Sequence, residues 1–175
     1  MNFTLTFNSL SWLTVGRSPV PVTINASKQP SLCKGSPFFE LLPQEWDEHK
    51  AAIEPVPLVF LPDTDNDDED ILYHCSGKEI KVAPGTLYLN DQRIKAVCKF
   101  CIKGATANSW VRLAEESDFY TTCLLGVQGS CIPHYFGEYK QGQCGGSDAY
   151  FCIILQDVGT QIPPGSLSEM NESLM

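Results

Sequence analysis

Between Ile94 and Gly159 the apolar pattern changes period twice, and the resulting order of strand, helix, strand, strand restricts the fold more than any other feature. RIKAVCKFC, residues 93 to 101, alternates with period two. Val97, Lys99 and Cys101 therefore share one face, and Ala96, Cys98 and Phe100 the other. From about Trp110 to Leu125 the spacing becomes helical. Trp110, Leu113, Ala114, Tyr120, Cys123 and Leu124 form the stripe, with Ser117 in its gap. Asn108 and Ser109 are candidate N-caps and Gly126 a candidate stop. At about 100° per residue, Glu116 lies roughly 80° from the centre of the stripe, whereas Glu115 points away from it. Glu116 is thus the glutamate that can reach a core.

After the helix, QGSCIPHYFGEY reads as a proline-containing loop leading into a short aromatic strand. AYFCIILQDVG reads as a buried central strand, closed by an acidic residue and a glycine. This series of a strand lysine, a helix with E-x-x-x-Y, an I-P-x-x-x-G-x-Y strand and I-I-L-x-D-x-G resembles the N-terminal lobe of a protein kinase. LAEESDFY and QGSCIPHYFG are most similar to the divergent kinase-like proteins abundant in fungi. The resemblance covers residues 77 to 159, about half the chain. It implies an α+β fold, a kinase-like N-lobe with an antiparallel sheet of about five strands and one main helix. It also implies that Lys99 contacts nucleotide phosphates and that Glu116 is its ion-pair partner, holding a desolvated lysine charged and aimed. Val97 would stand above an adenine ring, and Leu155, Gln156, Asp157 and Val158 would form the hinge.

The chain departs from that family at several places. A kinase covers the phosphates with a G-x-G-x-x-G hairpin, but the matching region reads GKEIKVAPGTLYL, with only Gly77 and Gly85. Pro84 and Gly85 fit the central positions of a type II turn. Val97 replaces the family's usual alanine, and its methyl groups crowd a nucleotide. ATP is therefore the implied cofactor, with tight binding disfavoured. None of His49, His74 and His134 begins an H-R-D triplet, and Asp157-Val158-Gly159 closes a strand rather than following a catalytic loop. The tail after Gly159 is too short for a second lobe. The expectation is a non-catalytic binding or scaffold module, or a piece of a longer kinase. The alternatives are an active kinase whose C-lobe lies outside this sequence and a secreted cysteine-rich interaction protein.

A net charge of -9 disfavours nucleic acid and anionic membrane as partners. A protein partner or self-association is expected instead, through an exposed apolar surface to which Val111 and Phe119 contribute. No apolar run reaches transmembrane length and the start, MNFTLTFNSLSWLTV, lacks a basic n-region, so a cytoplasmic location is expected. Among the eight cysteines, Cys98, Cys101, Cys123 and Cys152 sit within apolar patterns and read as buried thiols. Asn2, Asn25 and Asn171 begin N-x-S/T sequons, relevant only to a secreted chain. Cys98, Cys101, Cys131 and His134 offer four soft ligands, yet a strand throws the first two to opposite faces. Asp63, Asp65 and Asp67 start like a calcium loop, without its sixth-place glycine and with His74 at the twelfth place. No metal is expected.

The acidic run DTDNDDED divides the chain. Residues 1–62 form an irregular β-rich extension of unassigned fold, 63–76 a linker, 77–160 the lobe and 161–175 a flexible tail. Within the extension, NFTLTF alternates as a strand, FFELL and PLVFL are short apolar runs, and QEWDEHKAAIE fits a brief helix. Frequent prolines disfavour long regular elements there.

Overall fold

The computed structural model describes residues 3–7, 22–31, 36, 55–63, 73–74, 79–89, 92–101, 104–146 and 149–159. The expected brief helix over QEWDEHKAAIE, FFELL, most of the acidic run and the tail lie outside the described residues. The strands are β1 (Phe3–Phe7), β2 (Val22–Lys28), β3 (Val56–Pro62), β4 (Tyr73–His74), β5 (Ile80–Leu89), β6 (Gln92–Cys101), β7 (Tyr135–Gln141) and β8 (Tyr150–Gln156). One helix, α1 (Ala107–Thr122), and a 3-10 turn (Leu125–Val127) connect β6 to β7.

The sheet order is β3-β1-β2-β7-β8-β6-β5-β4, and β3 also pairs with β5. That last pairing closes seven strands into a barrel, with β4 as a short strand outside the ring. Every pairing is antiparallel except β1 with β3, which makes the barrel mixed. The expected open kinase-like sheet of about five strands is therefore corrected to a closed barrel that carries, among the described residues, one α-helix. What overturns it is the N-terminal segment: β1, β2 and β3 complete the same ring as β5 to β8.

Alternation explains both layers. Inward residues of all seven strands, among them Phe3, Leu5, Phe7, Ile24, Leu58, Phe60, Cys98, Phe100, Phe136 and Ile154, form one buried core. A cavity of about 10 Å³ beside Phe7, Ile24, Phe100 and Cys152 is scarcely large enough for one water. The barrel is packed with side chains, as expected for so few strands. The second core lies outside the ring, where Trp110 and Leu113 of α1 cover Cys101, Tyr135, Phe151, Ile153 and Leu155. β8 is buried on both faces, as its continuous apolar run requires.

Pro84 and Gly85 do not form the expected turn but stand in the middle of β5. Pro84 sits where the neighbour of β5 changes from β4 at Val82 to β3 at Gly85, a break in the ladder of the kind that tolerates proline. Gly85 meets the closing strand: a Cβ there would be 2.6 Å from Cζ of Phe60. Closure at this seam needs a residue without a side chain.

α1 begins and ends about three residues earlier than the periodicity predicts. Thr106 is the N-cap residue, not Asn108 or Ser109, and it makes no side-chain capping bond of its own. Glu79, next to β5, supplies the cap instead. Its Oε2 accepts from the Thr106 N–H at 2.9 Å, from Thr106 Oγ1 at 2.6 Å and from Ser109 Oγ at 2.6 Å. A carboxylate here meets the positive end of the helix. At the other end, Gln128 Nε2 donates to the Tyr120 carbonyl at 2.8 Å, while its Oε1 accepts from Tyr135 N at 3.0 Å. The helix terminus is thereby tied to β7, and Cys123, just past the last turn, is exposed rather than buried.

Candidate functional site

The face of the barrel beneath α1 carries the polar groups. Lys99 on β6 donates to Glu116 Oε1 of α1 in a direct ion pair, with both side chains partly exposed. Strand alternation turns Lys99 to the helix side, and the helical angle brings Glu116 down to meet it while Glu115 stays exposed. Lys99 has Val82 of β5 and Ile153 of β8 as its cross-strand neighbours. Val97, two positions along the same face, has Pro84 and Leu155. The pair therefore stands at the edge of an apolar floor.

Of the expected hinge residues, Leu155 lies on this face beside Val97, whereas Gln156 falls on the barrel side of the sheet. Gln156 pairs with Ala96, three positions along β6 from Lys99, or about 10 Å at the rise of a strand. Its N–H donates to the His134 carbonyl at 2.9 Å, and its side-chain Oε1 accepts from His134 N at 3.3 Å. The Asp157 N–H donates to the Lys95 carbonyl at 3.0 Å, and Asp157 Oδ1 accepts from Gly159 N at 2.9 Å. Two of the backbone donors that a hinge would offer an adenine edge are thus already used within the fold. Val158 is exposed.

A second polar cluster, which the sequence pattern did not reveal, lies under the opposite flank of α1. Lys28 Nζ is 2.9 Å from Glu138 Oε2 and 3.0 Å from Asp118 Oδ1. It also donates to Ser117 Oγ at 3.4 Å and to the Ala114 carbonyl at 3.5 Å. Ser27 Oγ donates to Glu138 Oε1 at 2.8 Å, and Ser117 Oγ lies 2.7 Å from the Tyr135 hydroxyl. Burial pulls the Lys28 ammonium down, but hydrogen bonds and charge from Glu138 and Asp118 outweigh it and leave its pKa raised. Burial pushes the Tyr135 hydroxyl well up, and the bond to Ser117 only partly opposes this.

Two irregularities create this cluster. Tyr135 and Glu138 are three apart, so in a regular strand they would face opposite sides, yet both face α1. The register of β7 shifts between them, at Gly137 with φ +113°. Such a bulge needs the positive φ that glycine supplies. The register of β2 likewise shifts between Ala26 and Lys28, so Ala26 packs on the barrel core while Lys28 reaches the helix. The signal available in the sequence was a glycine inside an aromatic strand.

No family model, curated protein or solved structure matches the chain. Cys98 packs in the barrel and Cys101 beneath the helix, on opposite faces as alternation requires. Among the described residues no group of three or more His, Cys, Asp or Glu side chains is placed to hold a metal. The six described cysteines are free thiols, with Cys98, Cys101 and Cys152 buried. Burial raises Cys98 strongly and pushes Cys101 up to about 12, so neither offers a thiolate. His134 is buried, burial lowers its pKa, and its Nδ1 has no partner. Its ring fills the space beside Gly129, where a Cβ would come within 2.2 Å of Nε2. Among the described residues no helix is long and apolar enough to cross a membrane.

Proposed function

We propose that the chain is a protein-kinase-like binding module that acts without phosphoryl transfer and docks a protein partner on the outer side of α1. The observation that carries this reading is the exposure of Val111 and Phe119, at 53% and 51%, on a helix whose inner side is held by ion pairs on both flanks. Large apolar groups held out on a fixed helix favour association, because little further ordering is needed on binding. The kinase-like part of the proposal rests on the Lys99–Glu116 pair, not on the fold, which is a closed barrel. Sedimentation at rising concentration, with binding of a dye for exposed apolar surface, tests it. Self-association or dye binding that Val111→Ser with Phe119→Ser removes is the expected result. A chain that stays monomeric at high concentration and binds no dye overturns it.

The Lys99–Glu116 pair also favours a second reading, in which the pair receives the phosphates of a nucleotide. The commitment of the Gln156 and Asp157 N–H groups inside the fold argues against adenine recognition through them. Thermal unfolding with and without ATP decides: a stabilisation that Lys99→Met abolishes supports a nucleotide site, and no shift in the wild type rejects it.

A further inference from the structure

Taking Ser117 as the lowest point of the buried stripe, Glu116 and Asp118 lie about 100° to either side of it. Each carboxylate is held by a lysine from a different strand, Glu116 by Lys99 of β6 and Asp118 by Lys28 of β2. Between β2 and β6 in the ring come β7 and β8, the two strands over which α1 lies together with β6. The helix is therefore strapped from both flanks. With both straps in place, the turn around Ser117 is held down on the sheet and cannot lift away from it.

We propose that Lys28 is the positioning residue for Glu116: by gripping the turn from Ala114 to Asp118, it holds that turn of α1 down on the sheet and so keeps Glu116 within reach of Lys99. This rests on the reading of Lys99–Glu116 as the working pair. The grip surrounds Glu116 in sequence, with the Ala114 carbonyl before it and Ser117 Oγ and Asp118 Oδ1 after it. Lys28 is itself anchored, since the buried Glu138 holds its ammonium and receives Ser27 Oγ on its other oxygen. A lysine held only by exposed groups would give way, but a buried carboxylate with a fixed partner does not move freely. The seating of β2 beside β7 is thus transmitted to the pair. Where a chain lacked β2 in place, α1 would keep its apolar stripe and lose one of its two straps.

The experiment reads the reactivity of Lys99 towards an acetylating ester, measured by peptide mass spectrometry on the folded protein. Lys95, exposed and paired with Asp63 on the surface, serves as the internal standard. Glu116→Gln defines the rate of an unpaired Lys99. In Lys28→Met the Lys99 rate is expected to rise about threefold or more towards that limit, the scale set by a part-exposed ion pair. Lys28→Arg is expected to restore the slow rate. A Lys28→Met protein with unchanged far-UV circular dichroism and wild-type Lys99 reactivity overturns the proposal. Should that variant fail to fold, Asp118→Ala removes the charged contact between Lys28 and α1 at an exposed residue, and wild-type reactivity there overturns it equally. No ligand takes part, so failure of partner or nucleotide binding leaves this result standing, and the reverse also holds.

Discussion

Replacing Gly85 by alanine tests the seam on which the barrel closes. An added Cβ would lie 2.4 Å from the Leu61 carbonyl oxygen and 2.6 Å from Phe60 Cζ. An ordinary carbon–oxygen contact is about 3.3 Å, so the two strands must part by roughly 0.9 Å. The oxygen belongs to the backbone of β3, paired with β5 on either side at Phe60↔Leu87 and Pro62↔Gly85, and cannot move alone. Overpacking of this kind costs about 1–3 kcal/mol, and an immovable backbone obstacle places Gly85→Ala in the upper part of that range. The smaller freedom of alanine in the unfolded chain returns about 0.4–1 kcal/mol. The net loss is then about 1–2 kcal/mol, or a fall in Tm of roughly 2–8 °C for a chain of this size. Thermal melts followed by circular dichroism, together with urea titrations, measure it, with a lower midpoint and an unchanged slope expected. Gly126→Ala is the control, because nothing lies within 4 Å of a Cβ there, and it should leave Tm unchanged or raise it. If Gly85→Ala proves as stable as the wild type or more so, β3 does not pack on β5 and the barrel argument fails.

Glu79 is held below its ordinary value near 4.5 by hydrogen bonds from Ser109 and Thr106, so its contribution is present above that value and lost as pH falls through the lower folded one. Glu79→Gln should therefore flatten the acid limb of a urea stability profile while changing little in its shape near neutrality; an unchanged acid limb refutes the cap. Ser117→Ala leaves the buried Tyr135 hydroxyl without its partner and should cost about 1–3 kcal/mol, whereas the double variant with Tyr135→Phe should be less destabilised than additivity predicts. Strict additivity in chemical denaturation would show that the two hydroxyls do not interact. Thiol labelling of the native protein should modify Cys123, Cys131 and Cys144 well before Cys98, Cys101 and Cys152, and comparable rates would contradict the burial described here.

Period alone located most of the local structure. Residues 93 to 101, FTLTF and the run through Phe151 to Leu155 all became strands, and helical angle selected Glu116 over Glu115; PLVFL, read only as a short apolar run, lies in β3. Such readings succeed because they depend on neighbours within a few residues. Barrel closure does not, since it pairs Leu61 with Thr86 and Ala26 with Tyr139, partners that no local pattern specifies. VTINASK was also a weak signal, with Ile24 its one fully buried side chain. Pro84-Gly85 misled for a related reason: the pair suits a turn, but here the proline marks a change of neighbour and the glycine leaves room for Phe60. Lys28 and Glu138 escaped notice because a bulge breaks the alternation from which facing is inferred.

The pairing of β2 with β7 has a consequence for how the chain reaches its fold. Ser27 meets Glu138 across 111 residues, so the ring cannot close until the second half of the chain has been made. At roughly 5–20 residues per second, synthesis leaves the first strands waiting for on the order of 5–20 s. During that interval Phe3, Leu5, Phe7, Ile24, Leu58 and Phe60 have no opposite wall to cover them. Pairings so distant in sequence also slow folding itself, because loop entropy is lost before the contacts that repay it are made. The nascent chain is thus at its most aggregation-prone before Lys99 and Glu116 exist, and its yield in a cell would depend on chaperones that shield the first three strands.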